Sequence, residues 1–119
     1  MLPVSAPFHS SLLKPAAEKL AAYLENVSFK SPQIPIVNNV DVATPFEPAA
    51  IKAALARQAA SPVRWVEVIQ RMAASGVTDI VECGPGKVLA GLTRRIESGL
   101  ASHALTDPAS IGQTLEALA

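Results

Sequence analysis

The sequence predicts an α/β fold, a parallel sheet flanked by helices. Apolar residues recur at helical spacing in several stretches, β-branched runs bounded by turn formers lie between them, and the two patterns alternate along the chain. Strands separated by helices in this way pair in parallel through right-handed crossovers.

Each element has its own signal. Two prolines, Pro3 and Pro7, make the opening up to His9 extended. Leu13, Ala17, Leu20, Leu24 and Val27 then mark one face of a helix, with Lys14, Glu18 and Glu25 on the other side and Pro15 in its first turn. Ser31-Pro32 breaks the chain. The β-branched run Ile34–Val40 reads as a strand, with Pro35 its weak point. A helix carrying Ile51 and Leu55 starts at Pro48 and ends near Ala60. Ser61-Pro62 predicts an N-cap and first turn for the next helix, whose buried face is Trp65, Val68, Ile69 and Met72 and whose C-cap is Gly76. Asp79–Cys83 is the second strand, and Gly84-Pro85-Gly86 turns it into a helix with Leu89, Leu92 and Ile96 on one side. A brief extended piece at Ser102–Thr106 and a helix bearing Ile111, Leu115 and Leu118 complete the order. Two good strands and one doubtful one make a thin sheet, so the expectation is the C-terminal part of a larger α/β domain.

At 119 residues and 12.4 kDa the chain is one domain or a piece of one. It is 50% hydrophobic with ten basic and ten acidic residues, which excludes intrinsic disorder. Zero formal charge and 4% aromatic content argue against nucleic-acid binding, which needs a basic surface or stacking platforms. Apolar stretches are interrupted well before the roughly 18 residues of a membrane span, and no secretory signal opens the chain. A lone cysteine, Cys83, fits a reducing, cytoplasmic compartment.

The chemical motifs are few. Gly84-Pro85-Gly86-Lys87 fails as a phosphate loop, because Val81 stands where its first Gly belongs and Val88 where Ser or Thr should follow the Lys. It fails as a dinucleotide fingerprint at Leu89. The expectation is a tight strand-to-helix turn, with N–H groups at the helix start that could attract an anion. Cys83 is expected to be a small buried hydrophobe rather than a nucleophile, and Arg94-Arg95 a solvated helix face. Two histidines and one cysteine, widely scattered, give no metal-ligand spacing. His9 lies in a loop just before a helix, between Phe8 and Ser10-Ser11. An imidazole there can take a proton from a nucleophile and return it to a leaving group, or can be an ordinary surface histidine.

Pro7-Phe8-His9-Ser10-Ser11-Leu12-Leu13-Lys14-Pro15 resembles the segment around the active-site histidine of malonyl-CoA:acyl carrier protein transacylases. The resemblance continues through Ile36–Val40, through Arg57-Gln58 and Ser61–Trp65, and through Glu82–Leu89, in the family's order and spacing. It covers nearly the whole chain. Leu13 and Cys83 depart from the family's usual Met and Val.

The resemblance implies the C-terminal portion, residues 1–119, of an α/β-hydrolase-like acyltransferase domain. It implies a Ser–His ping-pong transfer of malonyl from coenzyme A to the phosphopantetheine thiol of acyl carrier protein, with no cofactor beyond these substrates. His9 maps to the general acid/base, and a carbonyl of Gln58 to the group that orients it. In related acyltransferase domains the residue before the histidine looks like a gate on the acyl α-carbon; here it is Phe8, which can equally be a packing residue. The serine's G-x-S-x-G elbow occurs nowhere in this chain. The family's malonyl-binding arginine, oxyanion-hole glutamine and ferredoxin-like subdomain belong to upstream sequence. This chain alone is therefore expected to be inactive and to self-associate. The alternatives are the same portion of a polyketide-synthase acyltransferase or malonate decarboxylase subunit, and a non-catalytic α/β interaction module.

Overall fold

The computed structural model describes residues 7–119, so most of the extended opening expected from the sequence lies outside the described residues. The chain divides into two compact units, the first running to Val68 and the second covering Ile69–Ala119.

In the first unit a 3-10 turn, Ser11–Leu13, leads into helix α1, Lys14–Glu25. Pro15 occupies its first turn, where a missing N–H costs nothing. Leu13, Ala17, Leu20, Leu24 and Val27 are its least exposed positions, which is the face the 3.6-residue spacing marks. Helix α2, Pro48–Ala59, packs against α1 and buries Ala54.

Between them the expected strand at Ile34–Val40 is absent; the segment has no ladder partner among the described residues. Pro35 offers no N–H, and Asn38 diverts the next donors, its Oδ1 accepting from the backbone N–H of Val40 at 3.1 Å and of Asp41 at 2.7 Å. A turn closes instead, with the Asn38 N–H donating to the Ala43 carbonyl at 3.0 Å. Val42 sits inside it at φ 55°, a left-handed conformation that is a genuine outlier for a β-branched residue.

Helix α3, Trp65–Ala74, starts three residues after Pro62, so Ser61 is not its N-cap. The Arg64 carbonyl takes the first helical bond, from Val68 N–H, while the Arg64 N–H is held by the Asn39 carbonyl. Glu67 in the first turn pairs with the Arg64 guanidinium, 2.7 Å from Nη2 to Oε1, and favours the positive helix end. Val68 and Ile69 are buried as expected. The division between units falls within this helix. Gly76, at φ 86°, ends it in a Schellman arrangement: Val77 N–H reaches the Met72 carbonyl and Gly76 N–H the Ala73 carbonyl.

The second unit is a β–α–β–α run. Strand β1, Asp79–Cys83, pairs in parallel with β2, Ala101–Leu105, in the register Asp79 to Ala101 through Cys83 to Leu105. Helix α4, Val88–Ile96, crosses between them and packs on both strands. Ala90 and Thr93 are its buried residues; the expected face of Leu89 and Leu92 is 40% and 37% exposed. Helix α5, Pro108–Leu118, packs on β2 and buries Thr114, leaving Ile111, Leu115 and Leu118 exposed. Its start is capped reciprocally, Asp107 Oδ1 accepting from Ser110 N–H at 2.7 Å and Ser110 Oγ from Asp107 N–H at 3.0 Å. Cys83 is exposed, not the buried hydrophobe expected, because it stands at the last position of its strand.

Candidate functional site

His9 is carried on a tight loop. The Ser10 hydroxyl donates back to the Pro7 carbonyl at 2.7 Å, folding the chain over Phe8 and His9, and the Ser10 carbonyl then accepts Leu13 N–H to open the 3-10 turn. His9 itself is left-handed, φ 55°. Histidine tolerates this better than most side chains, and strained backbone of this kind gathers at functional sites. Both Phe8 and His9 are exposed.

The second part comes from the end of α2. The last carbonyls of a helix have no intrahelical donor, and that of Gln58 is 3.0 Å from His9 Nδ1. A carbonyl oxygen only accepts, so Nδ1 must carry the proton of this bond. The neutral ring is then the Nδ1–H tautomer, with Nε2 bearing the free lone pair. The two residues that the resemblance pairs are thus adjacent, through the main chain of Gln58. Its side chain points elsewhere: Oε1 accepts Asn39 N–H at 3.1 Å. It also borders an apolar cleft of about 220 Å³ with Ile36, Ile51 and Leu55.

The turn at 38–43 joins this end of α2 a second time, through an ion pair between Arg57 and Asp41. Sequence reading marked turn formers here but gave Asn38, Asn39 and Asp41 no part in the site. The doubled Asn is the local signal; the reach to Gln58 is a tertiary fact with no local trace.

In the second unit, the helix start after Gly84-Pro85-Gly86 is satisfied from within. Glu82 Oε2 accepts Ala90 N–H at 2.8 Å, so the anion at this N-terminus is the chain's own carboxylate. Arg94 is exposed, yet its Nη2 reaches the Ser102 carbonyl at 2.9 Å. His103 Nε2 lies 3.0 Å from Asp79 Oδ1, and this bond, followed by one from the Thr78 hydroxyl, holds the Asp79 carboxyl below its ordinary range. Among the described residues no three His, Cys, Asp or Glu gather as a metal site. No helix there is long and apolar enough to cross a membrane.

No protein-family model matches the chain. Curated relatives do. It is 49% identical over 114 residues to a malonyl CoA-acyl carrier protein transacylase of Salmonella typhimurium, covering 96% of this chain and 37% of the relative. It is 44% identical over 117 residues to one of Bacillus subtilis, covering 98% and 37%. Among solved structures, an acyl-carrier-protein S-malonyltransferase from Burkholderia pseudomallei superposes with a TM-score of 0.93 at 62% identity, over 97% of this chain and 38% of that one. A malonyl-transacylase solved in complex with a type II polyketide-synthase acyl carrier protein gives 0.94 at 48%, over 98% and 38%. The chain thus spans a little over a third of the length of the relatives it matches.

Proposed function

Since the chain belongs to the malonyl CoA-acyl carrier protein transacylase family, we propose that it is the C-terminal portion of a malonyl transferase catalytic domain and supplies the histidine of a Ser–His acyl transfer. The observation that carries this reading is the 3.0 Å bond from His9 Nδ1–H to the Gln58 main-chain oxygen. It leaves Nε2, on an exposed loop, with a lone pair for a serine hydroxyl.

The serine is contributed by sequence outside this chain. Its hydroxyl gives its proton to Nε2 as Oγ bonds to the malonyl thioester carbonyl. The tetrahedral intermediate collapses, the C–S bond breaks, and His9 returns the proton to the departing coenzyme A thiolate. In the second half the phosphopantetheine thiol of an acyl carrier protein gives its proton to Nε2 and its sulfur attacks the ester. The C–O bond breaks and the proton goes back to Oγ. The Gln58 oxygen accepts from Nδ1–H in both the neutral and the protonated ring, so it holds one orientation through the cycle. No cofactor enters these steps, and we place the reaction in the cytoplasm.

A second reading concerns the carrier. The similarity to a transacylase solved with a polyketide-synthase carrier protein favours a polyketide carrier as readily as a fatty-acid one. The test of the main reading is His9→Ala in the full-length protein. Malonyl-enzyme formation and transfer should both fall by about two to four orders of magnitude with an unchanged circular dichroism spectrum. Wild-type rates in that variant would leave His9 an ordinary surface residue.

A further inference from the structure

The Gln58 oxygen can orient His9 only if the end of α2 is itself fixed. Nothing within the helix does this, because its last turn is where helices fray. Outside the helix the Ser61 N–H reaches the same Gln58 oxygen at 3.4 Å, and two further contacts come from the turn at 38–43. Asn39 N–H donates to Gln58 Oε1 at 3.1 Å, and Asp41 pairs with the neighbouring Arg57. Asn39 is in turn anchored through its carbonyl to Arg64 N–H at 3.0 Å.

The turn is not a relaxed one, since Val42 lies at φ 55°. Such a conformation persists only where surrounding bonds over-determine it. Asn38 supplies them. Its Oδ1 accepts from Val40 and Asp41, its N–H donates to the Ala43 carbonyl, and its Nδ2 donates to the same oxygen at 3.2 Å. The bond from Asp41 N–H, at 2.7 Å, places the backbone of the residue that grips Arg57.

We infer that Asn38 is a positioning residue for His9, acting through the 38–43 turn and the Gln58 end of α2 to fix the imidazole in its Nδ1–H tautomer. This rests on the reading of His9 as general acid/base for its catalytic meaning, but not for its geometry. Without Asn38 the turn relaxes, the Gln58 oxygen shifts, and Nδ1 loses the acceptor it has among the described residues. The ring then samples both tautomers, and the Nε2–H form has no lone pair to offer a serine.

The test reads the tautomer directly. In the ¹⁵N-histidine-labelled chain, imidazole nitrogen shifts above the ring's titration report which nitrogen is protonated, with His103→Gln identifying the His9 signals. Wild type should show one Nδ1–H form. Asn38→Ala should show a mixture, as should Gln58→Leu, which keeps the peptide oxygen and removes only the acceptor for Asn39. Asn38→Asp keeps the two acceptor bonds and should restore most of the Nδ1–H form. In the full-length protein, Asn38→Ala should lower kcat about 10- to 100-fold, the cost of slight misplacement of a reacting group, with KM within about twofold. A fixed Nδ1–H tautomer in both Asn38→Ala and Gln58→Leu overturns the inference; should Asn38→Ala fail to fold, Gln58→Leu decides alone. Full activity of His9→Ala would instead overturn the catalytic reading and leave the tautomer result standing.

Discussion

The Glu82 carboxylate, at the fourth position of β1, accepts the backbone N–H of Ala90, the third residue of α4, at 2.8 Å. It bridges the Gly84–Lys87 turn from strand to helix. An acceptor at this place does the work of an N-cap side chain, since Lys87 makes no side-chain cap of its own. Glu82→Ala should therefore destabilise the chain by about 0.5–2 kcal/mol, the range for a lost cap. Glu82→Gln, which retains an oxygen, should lose less. Urea unfolding of the three proteins checks the order, and equal losses for Ala and Gln would assign the effect to charge alone.

A second prediction concerns pH. The Asp79 carboxyl is held below its ordinary range, first by the bond from His103 and then by that from Thr78. A carboxyl lowered on folding adds stability that is present above its unfolded pKa and is lost as pH falls through the folded one. Wild type should exceed Asp79→Asn in urea midpoint at pH 6, and the gap should close as pH falls below the usual carboxylate range. A gap that stayed constant down to pH 3 would show that Asp79 acts by packing rather than by charge.

Phe8, next to His9 in sequence and 63% exposed, is the residue we propose as a gate on the acyl group. A ring beside the acyl pocket collides with an α-methyl branch but not with unbranched malonyl. One methyl group is worth roughly 1–3 kcal/mol in a pocket, or about 10- to 200-fold. In the full-length protein Phe8→Ser should raise methylmalonyl over malonyl transfer within that range, read as the ratio of kcat/KM for the two thioesters. An unchanged ratio would make Phe8 a loop-packing residue.

The 119-residue chain alone should form no malonyl-enzyme, having no G-x-S-x-G serine. It should also self-associate. Among the described residues both strands of its two-stranded sheet have an unpaired edge, and Val88, Leu115 and Leu118 are half-exposed or more. Sedimentation velocity at rising concentration should show species larger than 12.4 kDa, and a single monomer boundary throughout would count against it.

The parts of the fold legible in the sequence were those set by local periodicity. The α1 face from Leu13 to Val27 and the span of α2 follow from spacing and from Pro at a helix start. The strands were harder, because a strand is made by its partner. The β-branched run Ile34–Val40 looked the better candidate, but Pro35 and Asn38 withdraw its donors. The weaker Ser102–Thr106 piece became β2 because α4 delivers it beside β1. In α5, Ile111, Leu115 and Leu118 have the right period for a core, yet Thr114 is what this chain buries. For the candidate site, His9 and Gln58 came from a resemblance across separated blocks; no spacing rule would join residues 49 apart. Asn38 was visible only as a turn former, since its reach to the site passes through tertiary contacts.

The atom that faces His9 belongs to the peptide unit of Gln58, not to its side chain. Every amino acid carries that oxygen, so no substitution at position 58 can delete it. A saturation scan there would report how well each side chain serves Asn39 and would reach the imidazole only through the placement of that oxygen. Weakening the acceptor itself calls for a change in the backbone, such as an ester in place of the amide after Gln58, whose poorer carbonyl would loosen the ring while leaving every side chain unchanged.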